Sequence, residues 1–148
     1  IYSEASTAIP KLDGLGCDDI ALIYPNYEDY DYVKVELDPK SLATAREHIS
    51  KINDPLLRAG LWASLNEMVI DQKITATQLL DIVLTHTGKE ESLDVLQRNV
   101  SMAFTVTSVY LPRKGELKSL RDETVARLSE YFLKNAKNAK TVDLQKLW

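Results

Sequence analysis

Two histidines, a single cysteine and one acidic loop are the residues of this 148-residue sequence with the types needed for chemistry. Metal ligation needs clustered His, Cys or carboxylate groups. His48 and His86 fall on different predicted helices, and no H-E-x-x-H, C-x-x-C or EF-hand spacing surrounds them. His48 stands beside Glu47 among polar neighbours and reads as a surface residue. His86 falls in the last turn of a predicted helix, where a cation complements the dipole, so it also reads as a surface residue rather than a ligand. Cys17 is followed by Asp18 and Asp19, and adjacent carboxylates raise a thiol pKa, the wrong direction for a nucleophile. Glu28, Asp29 and Asp31 could offer oxygen ligands to Ca²⁺, but they lack the regular ligand spacing and read as a solvated hairpin loop. There is no G-x-S-x-G elbow and no glycine-rich phosphate loop, and five glycines leave little material for one. The sequence thus nominates no catalytic, cofactor-binding or metal-binding residue.

Composition narrows the function classes further. The chain is 45% hydrophobic and 27% charged, ordinary for a globular protein, and long enough to bury a core without staples. A formal net charge of -4 argues against nucleic acid and against an anionic membrane surface as partners. One cysteine allows no internal disulfide, no apolar run approaches a bilayer span, and no secretory signal opens the chain, which makes a cytoplasmic origin the default.

The elements that would position any site divide at residue 38. Residues 1–38 hold nine acidic and two basic residues, against thirteen and sixteen in the remainder. Asp19–Tyr24 is rich in strand formers, Pro25–Asn26 breaks the run, and Tyr32–Leu37 alternates, with Val33, Val35 and Leu37 on one side. This pattern predicts a β-hairpin, with a further strand over Ile1–Leu12. A lone hairpin is marginal in water, so these strands are expected to complete a sheet lying upstream. From Asp38 onward the apolar period becomes that of a helix. Asp38-Pro39 and Asn53-Asp54-Pro55 are N-cap and first-turn signals, the first helix running to about Ile52 and the second to Asp71–Lys73. The second carries Leu57, Leu61, Trp62, Leu65, Met68 and Val69 on one stripe. Thr75 and Gln78 form a capping box for the third, which Gly88 terminates. The fourth is expected from Glu90–Glu91 to Pro112 with Leu93, Leu96, Val100, Phe104 and Leu111 inward. The fifth spans about Lys114–Lys137 with Leu117, Leu120, Leu128 and Phe132 inward. Thr141–Trp148 reads as a sixth helix cut off after two turns, its Leu144, Leu147 and Trp148 stripe either frayed or docked on the preceding helix. A short docking tail is the alternative reading. The predicted fold is therefore mainly α: antiparallel helix pairs in an α-α superhelix of the HEAT/armadillo kind over residues 39–148, preceded by a short β segment over 1–38. No strict repeat is visible, and an irregular bundle is the alternative.

Two stretches carry a resemblance. Pro25-Asn-Tyr-Glu-Asp-Tyr-Asp-Tyr-Val-Lys-Val-Glu-Leu-Asp38 resembles the segment closing the small β-domain of the aminopeptidase N family, with Asn26, Asp29, Tyr32, Lys34, Val35 and Asp38 in the matching places. Ile52–Val69 is similar to the D-P-L-x-R-A-x-x-W-x-x-L-x-[DE]-M pattern that opens the helical C-terminal domain of bacterial members. Asp54, Pro55, Leu56, Arg58, Ala59, Trp62, Leu65, Glu67 and Met68 carry that match. The likeness spans most of residues 20–110, and beyond 112 only helical character agrees.

The resemblance implies a parent enzyme: a zinc metallopeptidase that removes amino-terminal residues from peptides, with its H-E-x-x-H helix and substrate loop upstream of residue 1. Neither motif has a counterpart here, so catalytic, cofactor-binding and metal-binding residues are all expected to be none in this chain, with zinc in the parent. The helical domain implied would cap the active site and limit peptide access, its partner being the peptide substrate held by the parent's catalytic domain. A stand-alone helical scaffold for a peptide or protein partner is the rival reading. A small enzyme of another kind is disfavoured by the poverty of His, Cys and Gly.

Overall fold

A computed structural model describes residues 13–148, so the strand expected over Ile1–Leu12 lies outside the described residues, as does the side chain of Cys17. Six α-helices follow one another: α1 (Pro39–His48), α2 (Pro55–Ile70), α3 (Ala76–His86), α4 (Leu93–Val109), α5 (Lys118–Lys137) and α6 (Val142–Leu147). The start signals act as read. The Asp38 carboxylate accepts the Lys40 and Ser41 N–H groups at 2.9 and 3.1 Å, and Asp54 accepts those of Leu56 and Leu57 at 2.8 and 3.3 Å. Thr75 and Gln78 close a reciprocal box, Gln78 N–H to Thr75 Oγ1 at 3.2 Å and Thr75 N–H to Gln78 Oε1 at 2.8 Å. Thr141 caps α6 through the Leu144 N–H at 3.2 Å.

Contacts join α2 to both α3 and α4, and α3 to both α4 and α5, so each central helix touches its neighbour and its next-but-one neighbour. The core between them holds Leu61, Leu65, Leu79, Leu80 and Val83, none of which keeps any exposure. The expected stripe of α2 is buried from Leu61 to Val69, with Leu57 half-buried. On α4 the buried face shares Leu96 and Val100 with the expected one, and Leu111 beyond its end is buried too, but the face is turned away from Leu93 and Phe104. Val95, Leu96, Asn99, Val100, Ala103 and Val106 point inward, leaving Leu93 at 54% and Phe104 at 61% exposure. The small Ala103 and the hydrogen-bonding Asn99 sit on the face that meets the other helices, while the bulkier Phe104 stacks on Phe132 of α5 at 5.9 Å. On α5, Leu128 is buried, but Leu117 and Leu120 stay outside at 59% and 40%. Gly115, at φ +80°, makes a left-handed turn that delays the helix to Lys118 and places Leu117 at its N-cap.

The β-hairpin expected from Asp19–Tyr24 and Tyr32–Leu37 does not form; no strand occurs among the described residues. The segment satisfies its backbone on helix side chains instead. Ile23 N–H donates to Ser41 Oγ at 2.9 Å, and Ala21 C=O accepts from Thr44 Oγ1 at 2.6 Å, both on α1. Val35 and Leu37 are buried at 7% and 4% in the helical core, with Leu22 and Tyr24 packed against it. Lys34 then bridges Glu67 and Asp71 on α2, each at 2.9 Å. An isolated two-stranded ribbon is marginal, and burying these side chains on the helices gives the segment a larger apolar contact than self-pairing would.

At the chain's other end, Leu144, Leu147 and Trp148 are half-buried, and the Trp148 ring meets Tyr131 and Phe132 of α5 at 6.0 Å. This is the docked arrangement of the two expected for that stripe.

Candidate functional site

The two histidines lie apart and do different work. His48 is exposed, with its Nδ1 3.3 Å from Lys51 Nζ. His86 corrects the surface reading: it is 3% exposed, wedged between the end of α3 and the end of α1. Its Nε2 lies 2.8 Å from the Arg46 carbonyl, which can only accept, so Nε2 carries the proton. Nδ1 therefore accepts from Ser50 Oγ at 2.8 Å. Burial lowers the His86 pKa, and the nearby Lys89, His48 and Lys51 charges act in the same direction against the Arg46 carbonyl.

The acidic loop is organised by a residue that carries no charge. Asn26 is 8% exposed, accepts the Asp31 N–H, and donates through Nδ2 to Asp31 C=O at 2.9 Å and Asp29 Oδ1 at 3.2 Å. The hydrogen bonds hold Glu28 and Asp29 at φ 64° and 56°, the left-handed region. No group of three His, Cys, Asp or Glu side chains that could hold a metal ion occurs among the described residues. The described residues therefore do not fit a zinc cage of the kind a metallopeptidase needs.

What the helices do build is a groove. A cleft of about 460 Å³ runs between the segment around Tyr24 and Val35, the outer face of α2, and the first turns of α4. It adjoins a pocket of about 230 Å³ over Trp62, Val95 and Met102, and Ala59, Ala63, Val95 and Arg98 line both. Small residues on α2 open this space. At Gly60 an added Cβ would lie 2.5 Å from Tyr24 Oη, so only glycine allows the Tyr24 ring this close. The pocket floor is fixed by Asn99, 1% exposed, whose amide lies between the Trp62 Nε1–H donor and the Val95 carbonyl acceptor; the orientation that satisfies both turns its oxygen to the indole at 3.0 Å and its nitrogen to the carbonyl at 3.3 Å.

A buried ion pair holds the groove's two walls in register. Arg58 on α2 donates to both carboxylate oxygens of Glu90, Nε to Oε2 at 2.8 Å and Nη2 to Oε1 at 2.5 Å. Arg58 Nη1 also donates to the carbonyls of Ile52 and Asn53 at 2.7 and 3.1 Å, and Glu90 accepts the Ser92 N–H at 2.9 Å. Burial pushes the Glu90 carboxyl up, but the Arg58 hydrogen bonds and the Ser92 N–H outweigh it, leaving its pKa below the ordinary carboxylate range. Glu90 was expected to open α4 as a dipole-matching acid. Because Arg58 holds it, α4 starts at Leu93 behind Ser92. An arginine among the apolar residues of an inward-facing helix was the available signal for this pair.

Among the described residues, these groups do not pair a nucleophile with a base; what they build is a shaped groove with fixed charges. No helix among the described residues is long and apolar enough to cross a membrane.

The comparisons with known proteins agree with this picture. Residues 22–148 match the family model described as the ERAP1-like C-terminal domain. Aminopeptidase N of Streptomyces lividans is 34% identical over 125 residues, which cover 82% of this chain and 14% of that protein. The chain thus spans about a seventh of the length of the curated relative it matches. With a helical architecture and a match over residues 22–148, the chain belongs to the ERAP1-like C-terminal domain family and corresponds to part of the C-terminal helical region of an aminopeptidase N-type protein.

Proposed function

We propose that this chain is a non-catalytic wall of a longer aminopeptidase-N-like zinc metallopeptidase of the cytoplasm, which removes amino-terminal residues from peptides. In that reading its helices belong to an α-α superhelix of the HEAT/armadillo kind that caps the active site and limits peptide access. Residue 38 marks the junction with a preceding β-domain, whose last segment is fastened onto α1 and α2. The observation that carries the reading is the continuous α2–α4 groove: an apolar floor with fixed charges and small residues, suited to an extended peptide and holding no reactive group. Shape performs the exclusion of water and of folded proteins from a reaction centre elsewhere in the protein.

The test is an assay of the purified chain on amino-acid anilides with added zinc. The expected result is no turnover and no stoichiometric zinc. Zinc-dependent turnover abolished by a chelator would overturn the proposal.

A further inference from the structure

We infer that α5 and α6 form a hinged flap on the α1–α4 core, opening about the 113–117 connection while the core stays folded, with the Tyr131–Gly88 hydrogen bond as its latch. The device is independent of the peptidase reading proposed above.

Burial separates the two parts. α2 buries seven of its sixteen residues and α3 six of its eleven. α5 is the longest helix described, at twenty residues, yet it buries only Thr124 and Leu128, and α6 buries none. The free energy of local opening follows the apolar surface an element holds, so a long helix seated through so little opens before the core does. Thr124 adds no bond across the seam, because its hydroxyl donates to Leu120 C=O of its own helix at 2.7 Å. Arg121 opposes closure: its Nε is buried without a hydrogen-bond partner, and opening returns it to water. The seam is also incompletely filled. A hollow of about 330 Å³ lies between Ala103, Phe104 and Thr107 of α4 and Val125, Leu128 and Phe132 of α5.

Few directed contacts cross that seam. Phe132 stacks on Phe104, but Phe104 keeps 61% exposure. Arg127 Nη2 lies 2.9 Å from Asp81 Oδ1 of α3, and both side chains are more than half exposed, so this pair holds little. Tyr131 makes the specific contact: its Oη accepts the Gly88 N–H at 2.5 Å. Gly88 permits the approach, since an added Cβ would lie 2.8 Å from that oxygen. α6 travels with α5, because the Trp148 ring rests on Tyr131 and Phe132 at 6.0 Å, whereas a hollow of about 410 Å³ lies between α6 and Gln97, Val100 and Ser101 of α4. The hinge has the backbone it needs. Leu111, 4% exposed, pins its core side, residues 113–117 are all exposed, and Gly115 takes the left-handed turn.

Amide hydrogen exchange, followed residue by residue in this chain over a series of low urea concentrations, tests the flap. The amides of residues 125–133 are expected to exchange about tenfold faster or more than those of Leu65 and Leu80, with a shallower dependence on urea, because less surface is exposed than in global unfolding. Tyr131→Phe keeps the ring and removes the acceptor, so exchange of residues 125–133 should rise about fivefold while Leu65 and Leu80 stay unchanged. Gly88→Ala, which drives Oη away, should act on residues 125–133 in the same direction. Exchange of residues 125–133 in step with Leu65 and Leu80, at the same urea dependence, overturns the flap. Tyr131→Phe accelerating all these amides alike, or none of them, overturns the latch.

Discussion

Arg58 of α2 and Glu90 of the α3–α4 connection form a two-point ion pair at 2.8 and 2.5 Å, with side chains only 11% and 4% exposed. The same guanidinium ties down the α1–α2 loop through the Ile52 and Asn53 carbonyls. Removing one member leaves the other charged and buried, so Glu90→Ala is expected to destabilise the fold by about 3 kcal/mol or more. The double change Arg58→Met, Glu90→Leu removes both charges and is expected to cost less than Glu90→Ala alone. Urea unfolding of the three variants checks this, and equal losses in single and double variants would argue against a coupled pair.

Acid should act through the same contact. The Glu90 pKa is lowered in the fold from an ordinary 4.5, so its contribution is complete above that value and is lost as pH falls through the folded one. Unfolding midpoints of wild type and Glu90→Gln should therefore converge as pH falls from 4.5 through the lowered folded pKa.

His86 titrates in a higher window. Its pKa is lowered from 6.5 by burial, so below 6.5 the unfolded chain takes up a proton that the folded chain resists. Its contribution is complete above 6.5 and is eroded as pH falls from there toward the folded pKa. The stability difference between wild type and His86→Gln is expected to shrink as pH falls below 6.5, measured by urea midpoints at each pH. A difference that grows on acidification would mean that His86 is charged in the fold.

Thr87 offers a gain. It has no exposure, and its hydroxyl has no partner among the described residues. Thr87→Val keeps the shape and removes the unsatisfied oxygen, so it should stabilise by about 1 kcal/mol, read as a higher denaturant midpoint. An unchanged or lower midpoint would show that the hydroxyl is satisfied in solution.

The helices were legible because their signals are local. Asp38-Pro39, Asp54-Pro55 and Thr75 with Gln78 each state a start within four residues, and the structure places helices there. The inward face of α4 was legible only in part: Leu96, Val100 and Leu111 are buried as expected, but Leu93 and Phe104, which keep helical spacing as well as Val95, Asn99 and Ala103 do, stay outside. Only the neighbouring helices choose between the two faces. The β-hairpin failed for a related reason: alternation in Tyr32–Leu37 states that one side is buried, and here the burying surface is helical. His86 was placed in its last turn correctly, but its burial depends on Arg46 and Ser50, distant in sequence. The groove was likewise invisible, because Arg98 and Tyr24 have no local pattern that announces a shared cleft.

Length discrimination by the longer protein carrying this chain tests the central claim most directly. Ala63 lines both parts of the groove, and Ala63→Trp would fill it without touching any reactive group. The measurement is kcat/KM for an amino-acid anilide and for a long peptide sharing the same amino-terminal residue. The account predicts an unchanged value for the anilide and a several-fold loss for the peptide. Equal losses on both substrates, or no loss on either, would contradict a wall that governs peptide access.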